Sequence, residues 1–219
     1  MRNFFTTLLD NHKGFWTREH RTNLLVSVVL LLVSFGVQRI ADTYVANVKG
    51  TAVDDLILSH IPTLDVDMLI IWGSLLLPVI ILLLVLQKPK YLNFALRSAA
   101  LFIIIRSGLI SLTHLGAHPR QLVLDIHSFG FGVYNILYNT SNDFFFSGHT
   151  GLPFLAGLVF WHEKPWRYLF FFASLLLGAA VLVAHIHYSI DVFAAPFMAY
   201  SIYAIAQRLF RRDYAISQT

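Results

Sequence analysis

Six long stretches with very few charges dominate the chain. They fall at about 22–40, 67–86, 92–114, 148–162, 166–185 and 189–210. An apolar helix of about 20 residues crosses the hydrocarbon core of a bilayer. A segment in lipid must satisfy every backbone N–H and C=O within itself or in a closed barrel. The stretches are long and do not alternate, so they predict helices. The fold class expected is an all-α integral membrane protein, a six-transmembrane-helix bundle. The composition agrees: 57% of residues are hydrophobic and only 13% charged, against about 25% charge in soluble domains. The fourth stretch is short for a span. Pro78, Pro153 and Pro196 fall inside stretches, where neighbouring helices can satisfy the freed backbone groups. The chain has no cysteine, which excludes disulfides and thiolate metal sites.

The expected organisation is one membrane domain over 22–212, after an N-terminal segment 1–21 and before a tail 213–219. Phe4, Phe5, Leu8 and Leu9 have the spacing of a short interfacial helix, and a polar tail with a few aromatics accounts for them as well. The first apolar stretch begins near Thr22 after a charged segment and reads as a span, not as a cleavable signal peptide. The net charge is +4. Its basic residues lie in short clusters beside the apolar stretches, the pattern of topology signals and not of a nucleic-acid-binding face. Arg2, Lys13, Arg18, Arg21, Lys88, Lys90, Arg97, Lys164, Arg167, Arg208, Arg211 and Arg212 would share one side; Arg39, Lys49 and Arg120 would lie on the other. The positive-inside rule then puts both termini in the cytoplasm. The loops near 41–66, 115–147 and 185–188 face the periplasm, a lumen or the exterior. The short termini and compact loops point to a bacterial inner membrane. Asn139-Thr140-Ser141 matches a glycosylation acceptor on that outer side.

Ionisable groups at the mouths of apolar stretches mark candidate sites. His187 and Asp191 are an i, i+4 pair at the start of the sixth stretch, so they share a helix face. The carboxylate can fix the imidazole tautomer and leave the second nitrogen free to attack. His185, offset from Asp191 by six, cannot use it this way. His149 follows Ser147-Gly148 at the start of the fourth stretch. Ser147 or Thr150 can cap a helix there, Gly148 permits close backbone approach, and the helix N-terminus favours a phosphate. Arg106 lies inside the third stretch, about 20 Å along it from Leu92 at ~1.5 Å per residue. A charge at such depth needs a partner, a hydrated cavity or a bound phosphate. Each feature also has a structural explanation: a capped helix, a His–Asp pair at a helix mouth, an ion pair inside the bundle. Asp54, Asp55, Asp65 and Asp67 read as a solvated acidic loop. The spacing of His60, His114, His118 and His127 singles out no metal site.

Taken together, Asp143-x-x-x-Ser147-Gly148-His149-Thr150 and His187-Tyr188-Ser189-x-Asp191-Val192, two stretches apart, resemble the sphingomyelin synthase branch of the type 2 phosphatidic acid phosphatase superfamily. Arg106 with Thr113-His114-Leu115 looks like the end of the third span in that branch. Asp55-Leu56-Ile57 through Pro62 is similar to its first outer loop. The resemblance implies a lipid phosphotransferase with its site at the outer leaflet. In that reading His187 is the nucleophile and forms a covalent intermediate, Asp191 orients it, and His149 protonates the departing alkoxide and then serves as base for the acceptor. Arg106, Ser147, Gly148, Tyr188 and Asp143 would bind the phosphate and the substrate. No cofactor or metal is required, and the implied partners are a phospholipid donor and a lipid alcohol acceptor of the ceramide or diacylglycerol type.

The departures from the pattern have direction. The broader superfamily carries an arginine six residues before the nucleophile, where this chain has Val181, and a lysine-and-arginine motif that finds no good match here. Both differences move the chain away from ordinary lipid phosphatases. Within the synthase branch, Ser189, Pro196, Ala206-Gln207 and Ser141-Asn142 stand where Thr, Tyr, Tyr-His and Cys-Gly are common, so headgroup and acceptor do not carry over. Two alternatives stay open: a phosphatase that hydrolyses phosphatidic-acid-like monoesters at the same histidines, and a haem-binding membrane protein. The second is disfavoured because the histidines sit mainly at the ends of stretches and not paired within them.

Overall fold

The computed structural model describes residue 12, residues 15–138 and residues 144–219. The expected interfacial helix near residues 4–9, the acceptor motif at 139–141 and Asp143 lie outside the described residues. The elements are α1 (Arg18–Asn47), α2 (Asp67–Gln87), a 3-10 turn (Pro89–Tyr91) leading into α3 (Leu92–Leu112), α4 (Phe131–Tyr138), α5 (Gly148–Val159), α6 (Lys164–Val183), α7 (Ser189–Leu209) and α8 (Arg211–Gln218). Among the described residues β pairing is limited to one parallel bridge, Thr51 with Leu115.

Among the described residues five helical segments are long and apolar enough to cross a membrane: α1, α2, Pro89–Leu112, α6 and α7. They carry large apolar side chains on their outer faces, among them Leu25, Leu32, Leu82, Phe172, Leu175 and Phe197. So much exposed apolar surface on helices whose backbone is satisfied internally is what a lipid-facing bundle requires. The fourth expected span is the exception. α5 has 12 residues and rises about 18 Å, short of the ~30 Å hydrocarbon core. Ten of its residues are buried. Protein, not lipid, surrounds it.

Packing explains where α5 sits. It lies against α6 and α7, with α3 alongside; α1 runs along α3. Gly151 lets α3 approach closely, since a Cβ there would stand 2.8 Å from the Phe102 ring. Small residues at helix crossings are the usual means of close approach in membranes. The core below the site is aromatic: Phe94, Phe102, Phe146, Phe160 and Phe170 are buried together with Tyr91. Pro78, Pro153 and Pro196 stand inside α2, α5 and α7 as expected.

Helix α1 outruns its predicted stretch, because Thr17 caps its start and the helix continues past Arg39 to Asn47. The expected tail belongs to α8, which folds back onto the bundle: Asp213 is buried and pairs with Arg97 at 2.6 Å. At the same end Lys88 pairs with Glu163, which also accepts a bond from the Tyr91 hydroxyl at 3.2 Å. At the opposite end the long loops are fastened to the α6–α7 turn. Leu64 N–H donates to Val183 O at 2.9 Å, and Leu122 N–H to Ala184 O at 2.8 Å.

Candidate active site

Two short turns at the second end of the bundle build the site. In the first, Phe145 (φ 114°) and Phe146 (φ 32°) occupy the positive-φ region, which costs a bulky residue energy and persists only where the surroundings enforce it. The chain then enters α5 with Ser147 as N-cap, its Oγ accepting from Thr150 N–H at 3.4 Å. In the second, His185 (φ 54°) ends α6, Ile186 N–H returns to Val181 O at 2.9 Å, and α7 begins after Tyr188. One backbone bond joins the turns: Ser147 N–H donates to Asp191 O at 2.9 Å.

That bond sets the two histidines side by side. The rings of His149 and His187 have centroids 5.7 Å apart and cross at 62°. His187 Nδ1 is 3.4 Å from Asp191 Oδ2. The pair is within ionic reach, but among the described residues Nδ1 makes no aligned hydrogen bond, and the buried Asp191 Oδ1 and His149 Nδ1 have no partner either. Asp191 Oδ2 is held by Tyr188 N–H at 3.1 Å. Catalytic hydrogen bonds are often loose before substrate arrives. His149, His187 and Asp191 are all at most 5% exposed, so charges here act through little water.

Arg106 reaches the same place from α3. It is buried, and its Nε donates to Phe146 O at 3.1 Å. A Cβ at Gly148 would stand 3.5 Å from the guanidinium carbon, so the bare glycine gives the cation a close seat beside the first turn of α5. A guanidinium next to free N-terminal amides is a cradle for a phosphoryl group. Val181 is fully buried among Ile70, Ile71 and Ala184, and that position has apolar surroundings.

The structure thus brings together His149, His187, Asp191, Arg106, Ser147 and Gly148. Tyr188 is placed differently. It is buried, and its hydroxyl donates to Gly116 O at 2.9 Å and accepts from Val53 N–H at 3.2 Å. It fastens loops. Asp143 falls outside the described residues. His185 turns its ring to Leu58 O (3.1 Å) and Thr63 (3.1 Å), away from Asp191. Among the described residues no group of three or more His, Asp or Glu side chains could hold a metal ion.

Sequence reasoning missed three residues. Tyr134 and Tyr138, spaced i, i+4 on α4, stack on the His149 ring with centroids at 6.0 and 5.3 Å. The Tyr134 hydroxyl lies 2.9 Å from His149 Nε2, and that of Tyr138 donates to Ser74 O at 2.9 Å. The two tyrosines one turn apart were the available signal. Asp55, expected in a solvated acidic loop, is buried instead. It accepts from Ser189 N–H (2.8 Å) and Oγ (2.7 Å) at the start of α7, and from Ile57 and Leu58 N–H. Burial pushes its carboxyl up. The bonds from the Ser189 hydroxyl, Leu58, Ser189 and Ile57 together outweigh burial and hold it below the usual carboxylate value.

A cavity of about 360 Å³ opens from the site between α1, α2, α3 and α5. Arg106, Tyr138, Gly148 and His149 line it at the site. Phe102 and Ala156 line it further along, and Val85 and Phe160 towards the other end. The wall is apolar away from the site.

A family model described as PAP2 superfamily C-terminal matches residues 140–208. The stretch contains both histidine turns, and the match supports the type 2 phosphatidic acid phosphatase superfamily. It leaves Arg106 and the first three long helices outside. No curated protein and no solved structure matches the chain.

Proposed function

We propose that the chain is a membrane phosphotransferase that moves a phospho-headgroup from a phospholipid to a lipid alcohol of the ceramide or diacylglycerol type. The observation that carries this is the buried His149–His187 pair, with Asp191 behind one ring and Arg106 beside the other's helix, and with His149 and Arg106 lining one end of an apolar cavity. His187 Nε2 attacks phosphorus while the bond from phosphorus to the diacylglycerol oxygen breaks. His149 gives that oxygen a proton. The acceptor hydroxyl then loses its proton to His149, attacks phosphorus and releases His187. One group acts as acid and then as base, as microscopic reversibility asks. Arg106 and the first amides of α5 offset the charge that builds on the phosphoryl oxygens.

Burial favours transfer over hydrolysis. A site in which His149, His187 and Asp191 are almost closed to solvent suits an acceptor delivered from the bilayer better than water. The basic clusters near residues 88–97, 164–167 and 208–212 support a reading with the histidine end at the outer face, both termini in the cytoplasm and α5 as a sixth, incomplete crossing. The test is a labelled phospholipid in mixed micelles with purified protein, with and without ceramide or diacylglycerol. A new phospholipid that forms only with acceptor, and not with His187→Ala, is the expected result. Release of headgroup phosphate to water alone, whatever the acceptor, would replace this reading with a phosphatase.

A further inference from the structure

We propose that Tyr134 is the positioning residue of His149: its hydroxyl holds Nε2, so that the proton exchanged with substrate travels on Nδ1. The proposal rests on the acid–base role given to His149 above. Tyr134 is completely buried, and a phenol oxygen there needs a polar partner. It meets the imidazole at 2.9 Å on Nε2. The opposite nitrogen, Nδ1, is buried and has no hydrogen-bond partner among the described residues. One ring nitrogen is therefore engaged by protein and the other is left for a ligand.

The chemistry fits a hydroxyl in this place. As an acid His149 carries both protons, and Nε2–H donates to the phenol oxygen. After Nδ1 has given up its proton, the remaining one stays on Nε2 and the same bond persists. Nδ1 then presents a lone pair to the acceptor hydroxyl, which is what a base requires. The phenol oxygen accepts the Nε2 proton's bond in both states and changes no proton of its own. The other groups facing the ring do not do this. Arg106 from α3 and His187 from the α6–α7 turn oppose a positive imidazole, Asp191 is 3.4 Å from His187, and Tyr138 of α4 spends its hydroxyl on Ser74 O. Tyr138 and Tyr134 stack on His149 from one helix, which fixes the ring plane while the Tyr134 hydroxyl fixes the tautomer.

The test needs no substrate for its first arm. Protein labelled with 15N-histidine in detergent micelles, with His149→Gln to assign the signal, reports the tautomer of neutral His149 by NMR. The wild-type protein is expected to show the proton on Nε2; a proton on Nδ1 overturns the proposal. Tyr134→Phe keeps the stacked ring and is expected to mix the tautomers. In turnover, the same variant should lose about 10–100-fold in kcat with little change in KM. The alkaline limb of its pH–rate profile should move to lower pH, because the protonated imidazole has lost its acceptor. A folded variant with unchanged tautomer, kcat and alkaline limb also overturns the proposal. Failure of the wild-type protein to transfer any headgroup would sink the phosphotransferase reading instead, and the NMR arm would still decide the role of Tyr134.

Discussion

Arg106 is the side chain that the bilayer tolerates least. Insertion of a charge at the centre of a span costs about 2.5–3.5 kcal/mol, and here the guanidinium is buried and donates to the Phe146 carbonyl. Its retention makes sense if it also meets a phosphoryl group. Lysine keeps the charge but loses the planar fork and the Nε donor. Arg106→Lys should therefore lower kcat by about 10²–10³-fold, the cost of one lost transition-state donor; phospholipid transfer in mixed micelles measures it. Equal activity in the two forms would reduce Arg106 to a structural cation. His187, Asp191 and His149 were legible because they stand at the ends of apolar stretches, where an ionisable group has few reasons to be. Tyr134 was not: its i, i+4 spacing with Tyr138 marks a shared helix face, but aromatic residues are common beside membranes and spacing alone does not show which phenol meets His149. Asp55 was not either: four aspartates in one loop look alike until tertiary docking selects the one that meets Ser189.

Helix α7 depends on that selection. Its first turn holds Asp191 and follows His187, and Asp55 binds its N-terminal Ser189 from a loop 134 residues away. The fold holds the Asp55 carboxyl below its ordinary 3.8. Its contribution to stability is fully present above that value and is lost as pH falls through the lower folded one. Thermal melts in micelles should show wild-type stability declining below about pH 4, with a smaller decline in Asp55→Asn. Near neutrality the variant should be less stable by about 1.5–3 kcal/mol, the worth of charged hydrogen bonds with little solvent. Matching melting curves for the two proteins across this range would remove Asp55 from the account. For α5, hydropathy marked a short apolar stretch correctly but could not tell a helix surrounded by lipid from one surrounded by other helices. That distinction separates six expected spans from five long helices and one buried short one.

The whole bundle adds what no single stretch announces, a cavity with polar lining at the His149 and Arg106 end. The membrane class was plain from the apolar stretches, whereas the cavity arises from how α1, α2, α3 and α5 meet. Ala156 lines it part of the way along and is mostly buried. Ala156→Phe should narrow it there, raising KM for long-chain phospholipids about tenfold while short-chain ones change little, if one or two kcal/mol of apolar contact is lost. Assays over a chain-length series would read this directly; an equal rise for every length would place the acyl chain elsewhere. The bond from Ser147 N–H to Asp191 O has a consequence for the membrane in which the protein is made. His187 and His149, the attacking and proton-carrying groups of the proposed reaction, flank α6 in the chain, and they become neighbours only when α5 has docked on α7. If the proposed reaction holds, a half-inserted chain would have no working centre with which to cut the lipids around it; assembly itself would be the safety catch.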